Sequence, residues 1–127
     1  MPTVLVVDET EAALEVIERH LARVGFRVLS ARDAEEALAF IDDAVILIDI
    51  CLVDLSLPGM NGMELAAEIV RRRPDTPVLL MSADEGVPES PFTIMAKPFA
   101  ITELIKRAWE LMERRGGGGR DPSQADE

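Results

Sequence analysis

The chain has one cysteine, one histidine and few basic residues among its 127 positions. A single cysteine cannot form an internal disulfide, which predicts a protein of a reducing compartment, the cytoplasm. The 13 basic residues are outnumbered by 24 acidic ones, and the formal net charge is −11. Nucleic acids and anionic membrane surfaces repel such a polyanion, so we expect neither as a partner. The only basic cluster, Arg71–Arg73, lies where a helix is predicted to end, and cations are favourable there.

The sequence also lacks a long apolar run. No run approaches the roughly 18 residues of a membrane-spanning helix, and Met1-Pro2-Thr3 leads into an apolar strand without a basic leader. Hydrophobic residues still make up 48% of the chain, which is enough for one core. We expect one domain over residues 1–115 and a flexible, Gly-rich and acidic tail over residues 116–127.

Apolar residues follow two alternating patterns along the chain. Short β-branched runs are typical of parallel strands buried on both faces, and between them apolar residues recur at helical spacing. Thr10, Asp33 and Asn61 are predicted to cap helices, Asn61 in a capping box with Glu64. The repeated alternation predicts an α/β fold, a five-stranded parallel sheet with helices on both faces. The predicted strands include Val4–Val7, Phe26–Leu29, a run ending at Val53, Val78–Met81 and Phe92–Met95.

The apolar run Val45–Val53 is longer than one buried strand needs. It fits a long strand, or a helix end followed by an apolar loop, and we expect burial in the sheet. If Val45–Ile48 were exposed instead, they would offer a contact surface. Cys51, inside this run, is predicted to be a small core residue and not a reactive thiol.

Polar residues follow four of the predicted strands. In sheets of this type, functional groups gather at the carboxyl ends of the strands, so we expect these residues to meet at one edge. Any one of these residues could be an ordinary solvated loop residue. Their joint placement at four strand ends is not explained in that way. They are Asp8 and Glu9 after the first strand, Asp54 after the third, Ser82 after the fourth and Lys97 after the fifth.

This set of groups suits phosphoryl chemistry. Three clustered carboxylates repel one another unless a cation accompanies them, and hard oxygen ligands favour Mg²⁺. Lys97 adds a second positive charge, and the hydroxyl of Ser82 can bond a phosphate oxygen. An ionised Asp54 can then attack phosphorus and form an aspartyl-phosphate.

These residues stand in four blocks that resemble those of bacterial response-regulator receivers of the CheY-like superfamily. The blocks occur in the family's order and at closely matching spacing, and the resemblance covers roughly residues 3 to 114. They are Val4–Glu9, Val53–Gly62, Met81–Ala83 and Lys97–Phe99.

The resemblance implies a fold and a role for each site residue. The strand order would be 2-1-3-4-5, the doubly wound flavodoxin-like order, and the peptide before Pro98 would be cis. Asp54 would be the phosphoacceptor, Ser82 the switch hydroxyl and Lys97 the contact to the phosphoryl group. The ligands of Mg²⁺ would be Asp8, Glu9, Asp54 and the backbone carbonyl of Ser56.

Two departures from the family pattern concern output. Ile94 stands three residues before Lys97, where receivers usually carry Phe or Tyr, and Phe92 nearby is out of register. Only 14 residues separate Ser82 from Lys97, a shorter stretch than in the family. Gly86, Pro88 and Pro91 in this stretch oppose a regular helix, so we expect a short or irregular fourth helix or a loop over residues 83–96. Such a loop either merely closes the fold or becomes ordered on phosphorylation or partner binding.

The function predicted from the sequence is a two-component receiver. Asp54 would take a phosphoryl group from a histidine kinase or histidine phosphotransfer protein, with output through contact with a protein target that the sequence leaves open. We expect a monomer or weak homodimer that is not an enzyme beyond accepting its phosphoryl group and slowly losing it. The alternatives are a receiver excised from a larger protein such as a hybrid histidine kinase, a phosphate sink, and an interaction module that is not phosphorylated.

Two enzyme or cofactor-binding classes are disfavoured. A haloacid-dehalogenase-type phosphatase needs a second aspartate two residues after its nucleophile, where Ser56 stands. A dinucleotide-binding unit needs a Gly-rich turn after the first strand, where Asp8-Glu9-Thr10 stands instead.

Overall fold

A computed structural model of the chain describes residues 1–83 and 89–114. These residues form one parallel sheet of five strands in the order β2-β1-β3-β4-β5, with four helices. The predicted doubly wound α/β fold and its strand order are confirmed. The elements are β1 (Thr3–Val7), α1 (Glu11–Arg23), β2 (Arg27–Ala31), α2 (Ala34–Ile41), β3 (Ile50–Asp54), α3 (Gly62–Arg72), β4 (Val78–Ser82), β5 (Thr93–Ala96) and α4 (Ile101–Arg114).

The three central strands are buried along their whole length, and the core has two layers. Successive side chains of a strand point to opposite faces. Val4 and Val6 of β1 therefore pack in the layer under α1 and α4, whereas Leu5 and Val7 pack in the layer under α2 and α3. Burial on both faces explains why these strands appear in the sequence as unbroken apolar runs.

Two of the three predicted helix caps are confirmed. Asp33 accepts a hydrogen bond from the backbone N–H of Glu36 at 2.8 Å. Asn61 and Glu64 form the reciprocal capping box, with bonds of 2.9 and 3.2 Å. Thr10 is at the N-cap position of α1, as predicted, but its side chain makes no capping bond. Its backbone N–H instead donates to Asp8, and this contact ties the start of α1 to the end of β1.

The expectation that Val45–Ile48 is buried in the sheet was wrong, because none of the four residues is in a strand. β3 begins only at Ile50, and the residues before it form a loop after α2, the alternative that the sequence also allowed. Ile48 is buried, whereas Val45 and Leu47 are exposed. The N–H of Ile46 donates to the carbonyl of Asp43 at 3.0 Å, and this turn keeps the stretch out of the strand.

Arg73, at the end of α3, holds this loop in place. Its guanidinium donates to the carbonyl oxygens of Ile41, Asp43 and Ile46, each at 2.8 Å. The cluster Arg71–Arg73 does lie at a helix end, as predicted. One of its members therefore has a specific structural role besides its favourable charge.

Cys51 is a core residue, as the sequence predicts. Its side chain is fully buried in β3, and burial raises the pKa of its thiol to about 12. The peptide between Lys97 and Pro98 is cis, as the resemblance implied. No helix in the described part of the chain has the length and apolar character to cross a membrane.

The sequence predicted a short or irregular helix, or a loop, between β4 and β5. Residues 83 and 89–92 are not helical, and residues 84–88, including Gly86 and Pro88, lie outside the described residues. Phe92 packs in the same layer as Ile94, the layer under α2 and α3. The predicted tail 116–127 also lies outside the described residues.

We expect Arg73→Ala to lower the free energy of unfolding by about 2 kcal/mol, because three loop carbonyls lose a charged donor at once. Urea unfolding measures this loss. Arg71→Ala is the matched control, since Arg71 forms only a surface ion pair with Glu68, and it should cost less than about 1 kcal/mol. Equal losses in the two variants would contradict the role of Arg73.

Candidate functional site

Two buried carboxylates lie side by side where β1 and β3 end. The strands are paired in parallel with Val7 opposite Val53, so the residues that follow, Asp8 and Asp54, are neighbours. Their exposed fractions are only 1% and 7%. Two carboxylates removed from water at one place need a compensating positive charge.

Each carboxylate is oriented in the same way. One oxygen of Asp8 accepts from the backbone N–H of Thr10 at 2.9 Å, and one oxygen of Asp54 accepts from that of Ser56 at 3.2 Å. In this local turn, an Asp side chain accepts a hydrogen bond from the backbone two residues later, an arrangement that aspartate favours. The second oxygen of each carboxylate, Oδ2, is thereby left free of the local turn and contacts Lys97 instead.

Lys97 supplies the positive charge. Its ammonium donates to Oδ2 of Asp8 and to Oδ2 of Asp54, both at 3.0 Å. Burial by itself lowers the pKa of Lys97, but the bonds to the two carboxylates outweigh it and raise the pKa above its usual value. The lysine is therefore charged at neutral pH.

Ser82 completes the group that the fold assembles. It is buried at the end of β4, the strand beside β3, and its backbone carbonyl accepts from the N–H of Lys97 at 2.7 Å. Four of the predicted site residues thus come from four strand ends to one edge of the sheet. They are Asp8, Asp54, Ser82 and Lys97.

Glu9 and Ser56 lie at the same end of the sheet but are exposed. Among residues 1–83 and 89–114, the structure has no group of three or more His, Cys, Asp or Glu side chains placed to hold a metal. Mg²⁺ needs fewer, since it usually takes one or two carboxylates and completes its shell with water and phosphate oxygens. The pair Asp8 and Asp54 meets that requirement, so the donors present fit Mg²⁺.

Gly62 is a site residue that our sequence-based prediction missed. Its N–H donates to the carbonyl of Leu55 at 2.8 Å, and a Cβ here would collide with the backbone carbonyl of Asp54. The absence of a side chain thus lets the first turn of α3 lie directly against the end of β3. A signal was present in the sequence, because glycine directly after the Asn61 cap is a poor choice for helix stability alone.

Comparisons with known proteins agree with this geometry. Residues 4–108 match the family model described as Response regulator receiver domain. The uncharacterized transcriptional regulatory protein YrkP of Bacillus subtilis is 30% identical over 87% of this chain and 49% of its own length. The chain spans about half or less of the first curated relatives it matches, several of which are described as transcriptional regulatory proteins. The predicted exclusion of nucleic acid as a partner is therefore not confirmed.

Solved structures show the same fold. A CheY-like response regulator receiver domain protein from Methanospirillum hungatei aligns with a TM-score of 0.84 and 23% identity, over 94% of this chain and 99% of that one. The response regulator TrrA of Thermotoga maritima, solved in complex with Mg(2+)-BeF, aligns with a TM-score of 0.77 and 26% identity, over 87% and 99% of the two chains.

We expect Gly62→Ala to destabilise the chain by about 1–3 kcal/mol, because the added methyl group must displace the Asp54 backbone. Helix propensity alone predicts the opposite sign, since alanine favours helices over glycine. Urea unfolding measures the change, and a stabilised Gly62→Ala variant would refute the close contact.

Proposed function

The chain belongs to the response regulator receiver domain family of two-component systems, and from that premise we propose that Asp54 accepts a phosphoryl group from a phosphohistidine partner. The observation that supports this most directly is the bridge of Lys97 between Asp8 and Asp54 at 3.0 Å. It places a nucleophilic carboxylate, a fixed cation and a second carboxylate together at one edge of the sheet.

In the proposed transfer, an oxygen of the Asp54 carboxylate forms a bond to phosphorus. The bond from phosphorus to the partner's histidine nitrogen breaks, and that nitrogen keeps the electron pair. The ammonium of Lys97, already at this carboxylate, balances charge on the phosphoryl oxygens. The hydroxyl of Ser82, on the adjacent strand end, is the proposed donor to one of those oxygens.

Mg²⁺, when bound, would neutralise the incoming phosphoryl group. Asp8 and Asp54 are the residues that would hold it, with Glu9 and the backbone carbonyl of Ser56 as further proposed ligands. Its binding must compete with Lys97, because the ammonium already contacts both carboxylates.

The partners follow from this chemistry. Asp54 is buried but lies at the carboxyl end of its strand. A histidine kinase or histidine phosphotransfer protein must therefore dock over the strand ends to donate the phosphoryl group. We propose that output passes through protein contact and that the chain catalyses no reaction beyond its own phosphorylation and dephosphorylation.

We expect phosphoramidate with Mg²⁺ to add a single phosphoryl group to the wild-type chain, read by intact-mass spectrometry. Asp54→Asn should abolish the adduct because the amide is not a nucleophile at this position. Asp75→Asn, an exposed aspartate in the loop before β4, is the matched control and should be labelled like the wild type. An adduct that persists in Asp54→Asn would disprove the assignment.

We expect Lys97→Met to bind Mg²⁺ about tenfold more tightly, equivalent to ~1.4 kcal/mol, because the competing ammonium is removed from both carboxylates. Isothermal titration calorimetry measures this, and the same variant should be phosphorylated more slowly. Lys106→Met on the exposed face of α4 is the control and should leave both quantities unchanged. Mg²⁺ binding that is unchanged in Lys97→Met would mean that the metal does not use these carboxylates.

A further inference from the structure

The end of the sheet opposite Asp54 carries an exposed apolar surface. The structure exposes six large apolar side chains among residues 1–83 and 89–114, and four of them line two adjoining hollows of about 610 and 340 Å³. The hollows share Met1 and Asp49. We call these four residues the basal patch, and they are Met1 (88% exposed), Val45 (87%), Leu47 (77%) and Trp109 (42%).

Contacts hold three of the four residues of the basal patch in place. The guanidinium of Arg73 fixes the loop that carries Val45 and Leu47 through three bonds to its carbonyls, and Asp43 accepts from the N–H of Val45 at 3.1 Å. Trp109 is braced by the ring of Phe26, with centroids 5.6 Å apart. A surface ordered in advance loses little conformational entropy on binding, and contiguous exposed apolar groups mark interaction sites.

Charge is distributed very unevenly between the two ends of the sheet. At the basal end, residues 23–27, 42–49, 71–77 and 113–114 contain six arginines and five carboxylates. At the Asp54 end, residues 8–11, 32–36, 54–64 and 97–103 contain nine carboxylates against one arginine and one lysine. The negative charge of the chain is therefore concentrated at the phosphoacceptor end, and the basal end is balanced.

We propose that the basal patch is a self-association surface, on which a second copy of this chain docks end to end. A two-fold interface must be complementary to itself. The charged residues that line the two hollows are Arg27 in one, Glu113 in the other and Asp49 in both, so each arginine can face carboxylates of the partner copy. This arrangement also keeps the two acidic ends far apart and leaves both Asp54 sites accessible.

Other occupants fit the surface less well. Residues 115–127, which follow the basal end of α4, contain no large apolar side chain that could fill the hollows. A strongly basic partner would be drawn to the opposite end, where the negative charge is concentrated. A second copy matches both the apolar groups and the balanced charges.

Sedimentation equilibrium of the full chain, from micromolar to millimolar concentration, tests the proposal. We expect the wild type to dimerise reversibly and Val45→Asn combined with Leu47→Asn to raise the dimer dissociation constant by at least about tenfold. Val16→Asn is the matched control, because Val16 is an exposed valine on α1 outside the basal patch, and it should leave the constant unchanged. Thermal unfolding of each variant checks that the fold is retained.

A charge exchange tests the pairing itself. Arg27→Glu alone and Glu113→Arg alone should each weaken the dimer, because each places like charges across both symmetric contacts, and the combined variant should recover most of the affinity. If the wild type stays monomeric at every concentration, the basal patch binds a different protein and the proposal is overturned. A dimer that survives the Val45 and Leu47 substitutions, or no recovery in the combined variant, would overturn it as well.

Discussion

The burial of two carboxylates beside each other is the constraint on which the rest of the site depends. Asp8 and Asp54 come from neighbouring parallel strands, and the register of β1 and β3 leaves them no way to separate. Removing both charges from water costs free energy, and the ammonium of Lys97, at the end of the edge strand β5, offsets this by pairing with both carboxylates. The strand order therefore matters chemically, because it brings together residues that are 43 and 89 positions apart.

The same ionic bridge connects Asp54, the proposed acceptor, to the part of the sheet that departs from the family pattern. A phosphoryl group on Asp54 would change what Lys97 contacts, and Lys97 directly follows β5. Ile94 on β5 and Phe92 just before it both pack against the layer under α2 and α3. In the proposed mechanism, a change at Asp54 would reach this layer through a short piece of backbone, with an aliphatic side chain where the resemblance leads one to expect an aromatic one.

Single residues at both ends of the sheet position the segments around the strands. At the Asp54 end, Gly62 allows α3 to lie against the backbone of Asp54 because it has no Cβ. At the basal end, Arg73 holds the loop after α2 by donating to its carbonyls. One end is acidic and built around buried charge, whereas the other is charge-balanced and exposes apolar groups.

The sequence by itself determined the fold and the set of polar residues that meet at the strand ends, because both depend on local patterns. Unbroken apolar runs predict buried parallel strands, and polar residues directly after them predict one functional edge, so the sequence alone identifies Asp8, Asp54, Ser82 and Lys97. Only the tertiary structure decided that Val45 and Leu47 face solvent, since that follows from bonds between their loop and Arg73, a residue of a different helix. It also decided the role of Gly62, because the collision that a Cβ at this position would make with the backbone of Asp54 cannot be seen in either segment alone.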